Sequence, residues 1–320
     1  MAPVSRETPP GAPAPDDVQS EPAGNPDGVR PGVASTVAAW SDSGPQGVDL
    51  EVRRPAETRV LVVANQKGGV GKTTTAVNVA AALAQRGLRV LVVDLDPQGN
   101  ASTALSIPHS EGTPSVYDVL IGGKPLREVM SPCEEVPGLD VVPASIDLAG
   151  AEIELVSMVA RETRLRRALH TLLADATQSG SRYDYVFLDC PPSLGLLTVN
   201  ALTVAGHLLV PIQCEYYALE GLSALLRTID SIKEHLNADL RVGAIVLTMY
   251  DGRTRLAAAV ADEVRGHFGR LVLATAIPRS VRISEAPSYG QTVMTYDPSS
   301  VGSLCYLQAA SELSMLLENA

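Results

Sequence analysis

The sequence predicts an α/β fold in which a doubly wound, mostly parallel β-sheet carries helices on both faces. From residue 59 onward, short apolar segments rich in valine and leucine alternate with helical patterns. Continuous apolar strands of this kind are typical of parallel sheets that are buried on both faces. In addition, a glycine-rich turn follows the first strand, and acidic residues end two later strands. A parallel sheet gathers such features at the carboxyl ends of its strands.

The predicted elements follow one another along the chain. The first strand spans 59–65, and the first helix follows its glycine turn and ends near Gln85, before Gly87. Further strands are predicted at 89–96, 139–143, 183–190, 207–213, 241–250 and 271–276. Further helices are predicted at about 151–176, 194–204, 218–236, 255–267 and 300–317. Neither an internal repeat nor a second folded domain is evident from the pattern.

The beginning of the chain differs in composition from the rest. Its first fifty residues contain nine prolines, six glycines and no lysine, without helical or strand periodicity. Such a segment buries too little apolar surface to offset the entropy that ordering costs. We therefore predict a disordered tail over residues 1–57 and one folded domain over residues 58–320.

Composition narrows the class of protein. Apolar residues make up 45% of the chain, but no apolar run approaches the roughly 20 residues that span a bilayer. The N-terminus lacks the apolar core of a signal peptide, so we expect a cytoplasmic protein. The four cysteines lack metal-binding spacing and are predicted to be unpaired thiols; they are Cys133, Cys190, Cys214 and Cys305.

The glycine-rich turn reads QKGGVGKT over residues 66–73. A Walker A loop has the pattern GxxxxGK[ST], and this turn departs from it only at the first position, Gln66. Glycines let the backbone N–H groups turn inward around phosphates at a helix N-terminus. Lys72 is predicted to reach the β- and γ-phosphates, Thr73 to bind Mg²⁺, and Thr74 to contact the α-phosphate. The residues predicted to surround the nucleotide here are Gly68, Gly69, Val70, Gly71, Lys72, Thr73 and Thr74.

Two other interpretations of this turn are open. It could be an ordinary connection between strand and helix, although the Gly-Lys-Thr sequence directly after a strand disfavours that. It could also be a dinucleotide-binding turn, because an acid follows some twenty residues on, at Asp94. That fingerprint requires a third glycine where this chain has Thr74, and it gives Lys72 no role. A nucleoside triphosphate is therefore the favoured ligand.

Acidic residues end two of the predicted strands. Asp189 follows an apolar strand, as a Walker B acid does, and is predicted to hold Mg²⁺ through water. Asp94 and Asp96 end the second strand, where a carboxylate is placed to orient a water molecule on the γ-phosphate. Aspartates near strand ends are common, so their value as evidence lies in their combination with the glycine loop.

Four motifs together resemble the ParA/Soj family of deviant Walker A ATPases, relatives of MinD. The motifs are KGGVGKTTT (67–75), DLDPQGN (94–100), DCPPSLG (189–195) and IPRSVRISEAPSYG (277–290). The resemblance extends from about residue 59 to 315. It implies the P-loop NTPase fold of the deviant Walker A type, with ATP and Mg²⁺ as cofactors and ATP hydrolysis as the activity.

The resemblance also implies roles for individual residues. Lys67 would cross to the phosphates of a second protomer in an ATP-dependent sandwich dimer; the alternative is that it is a solvated loop residue. Together with Lys72, it would stabilise charge during hydrolysis. Asp96 would be the catalytic carboxylate, and Pro278 would belong to the nucleotide site.

The C-terminal sequence and the arginines indicate which member of the family this chain resembles. MinD-type relatives end in a basic amphipathic helix that binds lipid, whereas this chain ends in SELSMLLENA, so no membrane partner is expected. The net charge is −11, but a local patch can still bind phosphates. By resemblance, Arg253, Arg279 and Arg282 would bind double-stranded DNA without sequence preference. The alternative is that these arginines are scattered and merely solvated.

The function implied by the resemblance is ATP-dependent partitioning of the chromosome origin region. The ATP-bound dimer would bind DNA of the nucleoid, and ParB, a centromere-binding protein, would stimulate hydrolysis and release it. The alternative is a nucleoid-bound ATPase that positions or regulates another cargo.

Overall fold

The computed structural model describes residues 50–216 and 218–318. Within these residues, seven strands form one sheet in the order β3-β4-β2-β5-β1-β6-β7. The strands are β1 (Arg59–Val63), β2 (Val90–Asp94), β3 (Ser131–Pro132), β4 (Leu139–Val142), β5 (Tyr185–Asp189), β6 (His207–Gln213) and β7 (Arg241–Thr248). Every pairing is parallel except that of β3 with β4. The predicted mostly parallel sheet is confirmed.

Helices connect and cover these strands. They are α1 (Lys72–Gln85), α2 (Asn100–Ala104), α3 (Val116–Leu120), α4 (Leu148–Val156), α5 (Arg164–Gln178), α6 (Leu196–Val204), α7 (Ala218–His235), α8 (Arg255–Phe268), α9 (Val281–Glu285), α10 (Val293–Tyr296) and α11 (Val301–Glu318). Short 3₁₀ turns lie at Leu126–Glu128, Arg161–Thr163, Gly269–Leu271 and Ala286–Tyr289. Among the helices described, none is both long and apolar enough to cross a bilayer.

Two predicted elements were wrong. The helix predicted at 151–176 is two helices, α4 and α5, because the chain turns at Ala160, whose φ of 54° is left-handed. The strand predicted at 271–276 is an isolated bridge between Val272 and Ile245 of β7. A 3₁₀ turn occupies the start of that segment, so it does not pair continuously with the sheet.

The register of the sheet brings the ends of three strands together. Strand residues alternate between two apolar cores, with Val62 in one and Leu61 in the other. At the carboxyl ends, Val63 pairs with Asp189, and Asp189 pairs with Asp94. The loops that follow β1, β2 and β5 therefore meet at one edge of the sheet.

The segment directly before β1 lies on the folded domain. The disorder predicted for residues 1–57 falls largely on residues 1–49, which lie outside the described residues. In residues 50–57, Arg54 forms a 2.8 Å ion pair with Asp184, a fully buried carboxylate. Further hydrogen bonds run from Ser311 Oγ to Glu51 O (2.6 Å), from Arg53 N to Ser314 Oγ (3.2 Å) and from Arg182 to Pro55 O (2.8 Å).

These contacts predict different outcomes for two N-terminal deletions. Deleting residues 1–49 is expected to change the free energy of unfolding by less than about 0.5 kcal/mol. Deleting residues 1–57 is expected to lower it by roughly 2–4 kcal/mol, because part-buried hydrogen bonds are lost and buried Asp184 loses one of its two cations, keeping Arg182. Equilibrium urea denaturation without nucleotide measures both. Equal stability of the two truncated proteins would show that residues 50–57 add nothing to the domain.

Candidate functional site

The loop between β1 and α1 has the backbone geometry of an anion-binding turn. Gly69 and Gly71 have φ values of 73° and 85°, in the left-handed region that favours glycine. Gly71 is the N-cap of α1, and this helix start has neither a side-chain cap nor an acid in its first turn. Its N–H groups are therefore available to an anion.

Two side chains that the sequence analysis did not identify brace this loop. Asn65 donates from Nδ2 to Pro211 O at 2.8 Å and accepts from Lys67 N at 3.1 Å. Thr248, at the end of β7, donates from Oγ1 to Val70 O at 2.8 Å. The sequence signal for both is a polar residue at the carboxyl end of an apolar strand.

Lys72 lies at the floor of the loop. Only 7% of its surface is exposed, and its Nζ donates to Lys67 O at 3.2 Å. Burial lowers the pKa of the Lys72 ammonium, while Asp189 and Asp96 act in the opposite direction. The cation is thus partly desolvated, which strengthens its attraction to a phosphate group.

Asp94 supports the structure of the following loop. Its carboxylate accepts hydrogen bonds from Asp96 N (3.1 Å), Ser102 N (2.9 Å) and Ser102 Oγ (2.8 Å). Burial raises the pKa of Asp94 to about 6, although these hydrogen bonds lower it. Asp94 therefore holds the loop that carries Asp96.

Asp189 is a buried carboxylate without a hydrogen bond from the described residues. Burial raises its pKa well above the usual value, and Asp94 raises it further, whereas Thr73 and Lys72 lower it. Thr73 and Lys72 offset the cost of burying this carboxylate only in part, so a further cation would stabilise it. Magnesium commonly keeps several waters and takes one or two carboxylates plus substrate phosphates, so Asp189 and Thr73 fit a hydrated magnesium ion.

A cavity of about 810 Å³ opens in front of these groups. Its volume falls within the range of small-molecule sites. It is lined by Gly68, Gly69, Gly71, Lys72, Thr73, Thr74, Asp96, Pro97, Gln98, Asn100, Ala149, Pro192, Met249, Ile283, Ser284 and Pro287. Asp96 is nearly buried, and its Oδ1 accepts from Gln98 N at 3.0 Å. Pro278 lines an adjoining cleft, which shares Gly71 and Thr74 with this cavity.

Lys67 forms an ion pair that the sequence analysis did not foresee. Its Nζ lies 2.6 Å from Oε2 of Glu215, and the two side chains are 40% and 48% exposed. Exposed pairs of this kind contribute little to stability. Lys67 can therefore exchange Glu215 for another anion at small cost. The signal for Glu215 was an acid two residues after the end of β6.

The three arginines assigned to DNA lie on neighbouring segments. A bridge between Tyr250 and Pro278 joins the loop after β7 to the segment before α9. Arg253, on the first segment, is 90% exposed and forms a bidentate pair with Asp251 (2.9 and 2.8 Å). Arg279, on the second segment, is exposed.

Acidic residues balance these arginines. Arg282 pairs with Asp297 (3.3 Å) and Glu285 (3.5 Å). The pKa of Asp251 is lowered to about 2, mainly by Arg253 and also by Arg279. Three acids thus lie beside the three arginines, so this surface is less basic than the arginines alone indicated.

Known proteins resemble this chain over most of its length. A family model described as an AAA domain matches residues 58–242. The sporulation initiation inhibitor protein Soj of Bacillus subtilis is 50% identical over 80% of this chain and 98% of its own length. The chromosome partitioning protein ParA of Myxococcus xanthus is 51% identical over 80% of this chain and 87% of its own.

This chain is also similar in structure to a protein whose crystal structure is known. It is the crystal structure of cobyrinic acid a,c-diamide synthase from Mycobacterium smegmatis with bound ADP and magnesium. That protein is 41% identical, with a TM-score of 0.66 over 79% of this chain and 92% of its own. The name of that protein describes a synthase and not a partitioning ATPase. Its sequence identity to this chain is lower than that of the Soj and ParA proteins.

Proposed function

This chain belongs to the ParA/Soj family of chromosome-partitioning ATPases, and on that premise we propose that it partitions the origin region of the chromosome. It binds ATP with Mg²⁺ in the cavity at the glycine loop and hydrolyses it. Two ATP-bound protomers pair face to face, and the dimer binds double-stranded DNA without sequence preference. ParB stimulates hydrolysis, and the resulting monomers dissociate from the DNA of the nucleoid. The protein acts in the cytoplasm.

The observation that carries this proposal is that Lys72, Thr73 and Asp96 line one cavity, while the buried Asp189 interacts with Lys72 and Thr73. Lys72 and the N–H groups at the start of α1 bind the β- and γ-phosphates. Thr73 and Asp189 hold Mg²⁺, which neutralises phosphate charge when it is bound. Asp96 orients the attacking water, since its carboxylate lines the cavity beside the loop.

DNA binding by this acidic chain requires an exchange of ionic partners. In the monomer Arg253 and Arg282 are bound to their own acids. DNA phosphates must replace Asp251, Glu285 and Asp297 as partners, and each single exchange gains little. Pairing two protomers doubles the number of exchanges on one duplex, which explains why the dimer is the DNA-binding form.

This exchange predicts opposite effects for two substitutions. Arg279→Glu is expected to weaken ATP-dependent DNA binding at least about tenfold, and Asp251→Asn to strengthen it, because Arg253 is released. Fluorescence anisotropy with a random duplex at two salt concentrations measures both. Arg86→Glu is the matched control: it makes the same change of charge at the far end of α1. If Arg86→Glu weakens binding as much as Arg279→Glu, only the net charge matters and the assigned surface is wrong.

A reconstitution experiment tests the function as a whole. The purified chain is assayed for ATP hydrolysis with random DNA, with the ParB protein encoded in the same genome, and with both together. We expect ATP-dependent DNA binding and a hydrolysis rate that rises only when both are present. Nucleotide-dependent DNA binding without a response to ParB would favour the alternative, an ATPase that positions or regulates another cargo.

A further inference from the structure

Apolar side chains are exposed on α4 and on the turns that precede and follow it. This set, here called the apolar ridge, comprises Ile146 (56% exposed), Ile153 (78%), Val156 (59%) and Val159 (89%). The opposite face of α4 is anchored in the core by Leu148, Ala151 and Leu155, which are fully buried. The helix therefore does not need the ridge to hold its position. Several large apolar side chains exposed along one segment are typical of an interaction surface.

The apolar ridge adjoins the nucleotide cavity. Ala149 belongs to the same helix and lines the cavity together with Lys72 and Asp96. Ile146, at the start of the ridge, lines a hollow with Pro97 and Gln98, which directly follow Asp96. The ridge thus runs outward from the rim of the cavity, on the side of the loop that carries Asp96.

We propose that the apolar ridge is the contact by which a second copy of this chain is held in the ATP-bound dimer. The inference rests on the proposed function, in which protomers pair face to face across their nucleotides. A twofold dimer uses the same patch on both partners, so the surface that surrounds the cavity becomes interface. A ridge that begins at the rim is buried in that arrangement.

Energetics favour this occupant. A stable interface buries roughly 1,600 Å² in total and has an apolar centre. The glycine loop offers mainly backbone and charged groups, and the Lys67–Glu215 pair is exposed and weak. The ridge supplies apolar area that these groups lack. Because dimerisation requires ATP, the same residues remain exposed in the monomer.

Substitution on the ridge tests the proposal. Ile153→Glu is expected to raise the dissociation constant of the dimer at least about tenfold in the presence of a non-hydrolysable ATP analogue, because a charge is desolvated. Ile153→Leu, the matched control, is expected to dimerise like the unsubstituted chain. Nucleotide affinity of the monomer should be unchanged in both, since Ile153 does not line the cavity. Sedimentation velocity measures the dimer, and titration with a fluorescent ATP analogue measures binding.

The outcomes separate this inference from the function that it assumes. If the unsubstituted chain fails to dimerise with the analogue, the proposed ATP-dependent dimer is wrong. If it dimerises and Ile153→Glu does so equally well, the ridge is not the interface. Normal dimerisation of Ile153→Glu with loss of ParB stimulation would assign the ridge to the partner protein, and would also overturn the proposal.

Thiol labelling gives a second measurement on a folded protein. All four native cysteines are buried, so Val156→Cys supplies an exposed thiol. Its reaction with a bulky maleimide is expected to slow at least about tenfold when the ATP analogue forms the dimer. Gln178→Cys, at the exposed end of α5, should react at the same rate with and without analogue. Unchanged labelling of Val156→Cys in a dimer proved by sedimentation would contradict the proposal.

Discussion

Replacing Asp96 with alanine is expected to leave a protein that binds ATP and dimerises but hydrolyses ATP at least about a hundredfold more slowly. Asp96 lines the cavity beside Lys72, and its Oδ1 accepts a hydrogen bond from Gln98 N. A carboxylate so placed orients the attacking water, and loss of such a group typically costs 10²–10⁴ in rate. The phosphate contacts of Lys72 and the loop remain, so affinity for ATP should change little.

Steady-state phosphate release and nucleotide titration measure these two quantities separately. Dissociation from DNA should slow in the same proportion, because release follows hydrolysis in the proposed cycle. Asp96→Asn is the matched control. It keeps the size of the side chain and the oxygen that accepts from Gln98 N, and it removes only the negative charge. If Asp96→Ala hydrolyses ATP at the original rate, the catalytic carboxylate is another acid, and if it no longer binds ATP, Asp96 supports the loop instead.

The fold was largely predictable because the sheet is buried on both faces. The five-residue strand Tyr185–Asp189 is buried throughout, so it reads as a continuous apolar run ending in an acid. Elements that depend on contacts distant in sequence were less predictable. The local sequence of segment 271–276 is that of a strand. In the structure it pairs with the sheet only through one bridge, to Ile245, and therefore is not a strand. The break at Ala160 was also hidden, since alanine favours helix.

The residues of the candidate site also differ in how far the sequence predicts them. Glycines with positive φ and a lysine at a helix start carry a local signal, so the loop residues could be identified from sequence. Groups that act through space could not. Thr248 reaches Val70 from 178 residues away, and Glu215 reaches Lys67 across 148. The acids that neutralise Arg253 and Arg282 were overlooked because a count of arginines does not include their partners.

Lys67 is predicted to act between protomers, and its substitution should therefore separate ATP binding from dimerisation. In Lys67→Ala, Lys72 and the backbone N–H groups of the loop still bind ATP, because Lys72 contacts Lys67 only at its carbonyl oxygen. The ammonium that would leave Glu215 for the partner's phosphates is absent. The expected result is ATP affinity within about threefold of the unsubstituted chain, and no dimer with ATP.

Loss of the dimer should then abolish DNA binding, although no arginine has changed. A monomer offers half the phosphate contacts, and the logarithm of the binding constant falls with the logarithm of salt by about 0.9 for each contact. The salt dependence of the residual binding should therefore be about half that of the dimer. Lys72→Ala is the matched control, because it removes a cation from the same loop but should fail earlier, at ATP binding. Light scattering with ATP and anisotropy at two salt concentrations test each step. If Lys67→Ala dimerises and coats DNA like the unsubstituted chain, then Lys67 is a solvated loop residue paired with Glu215.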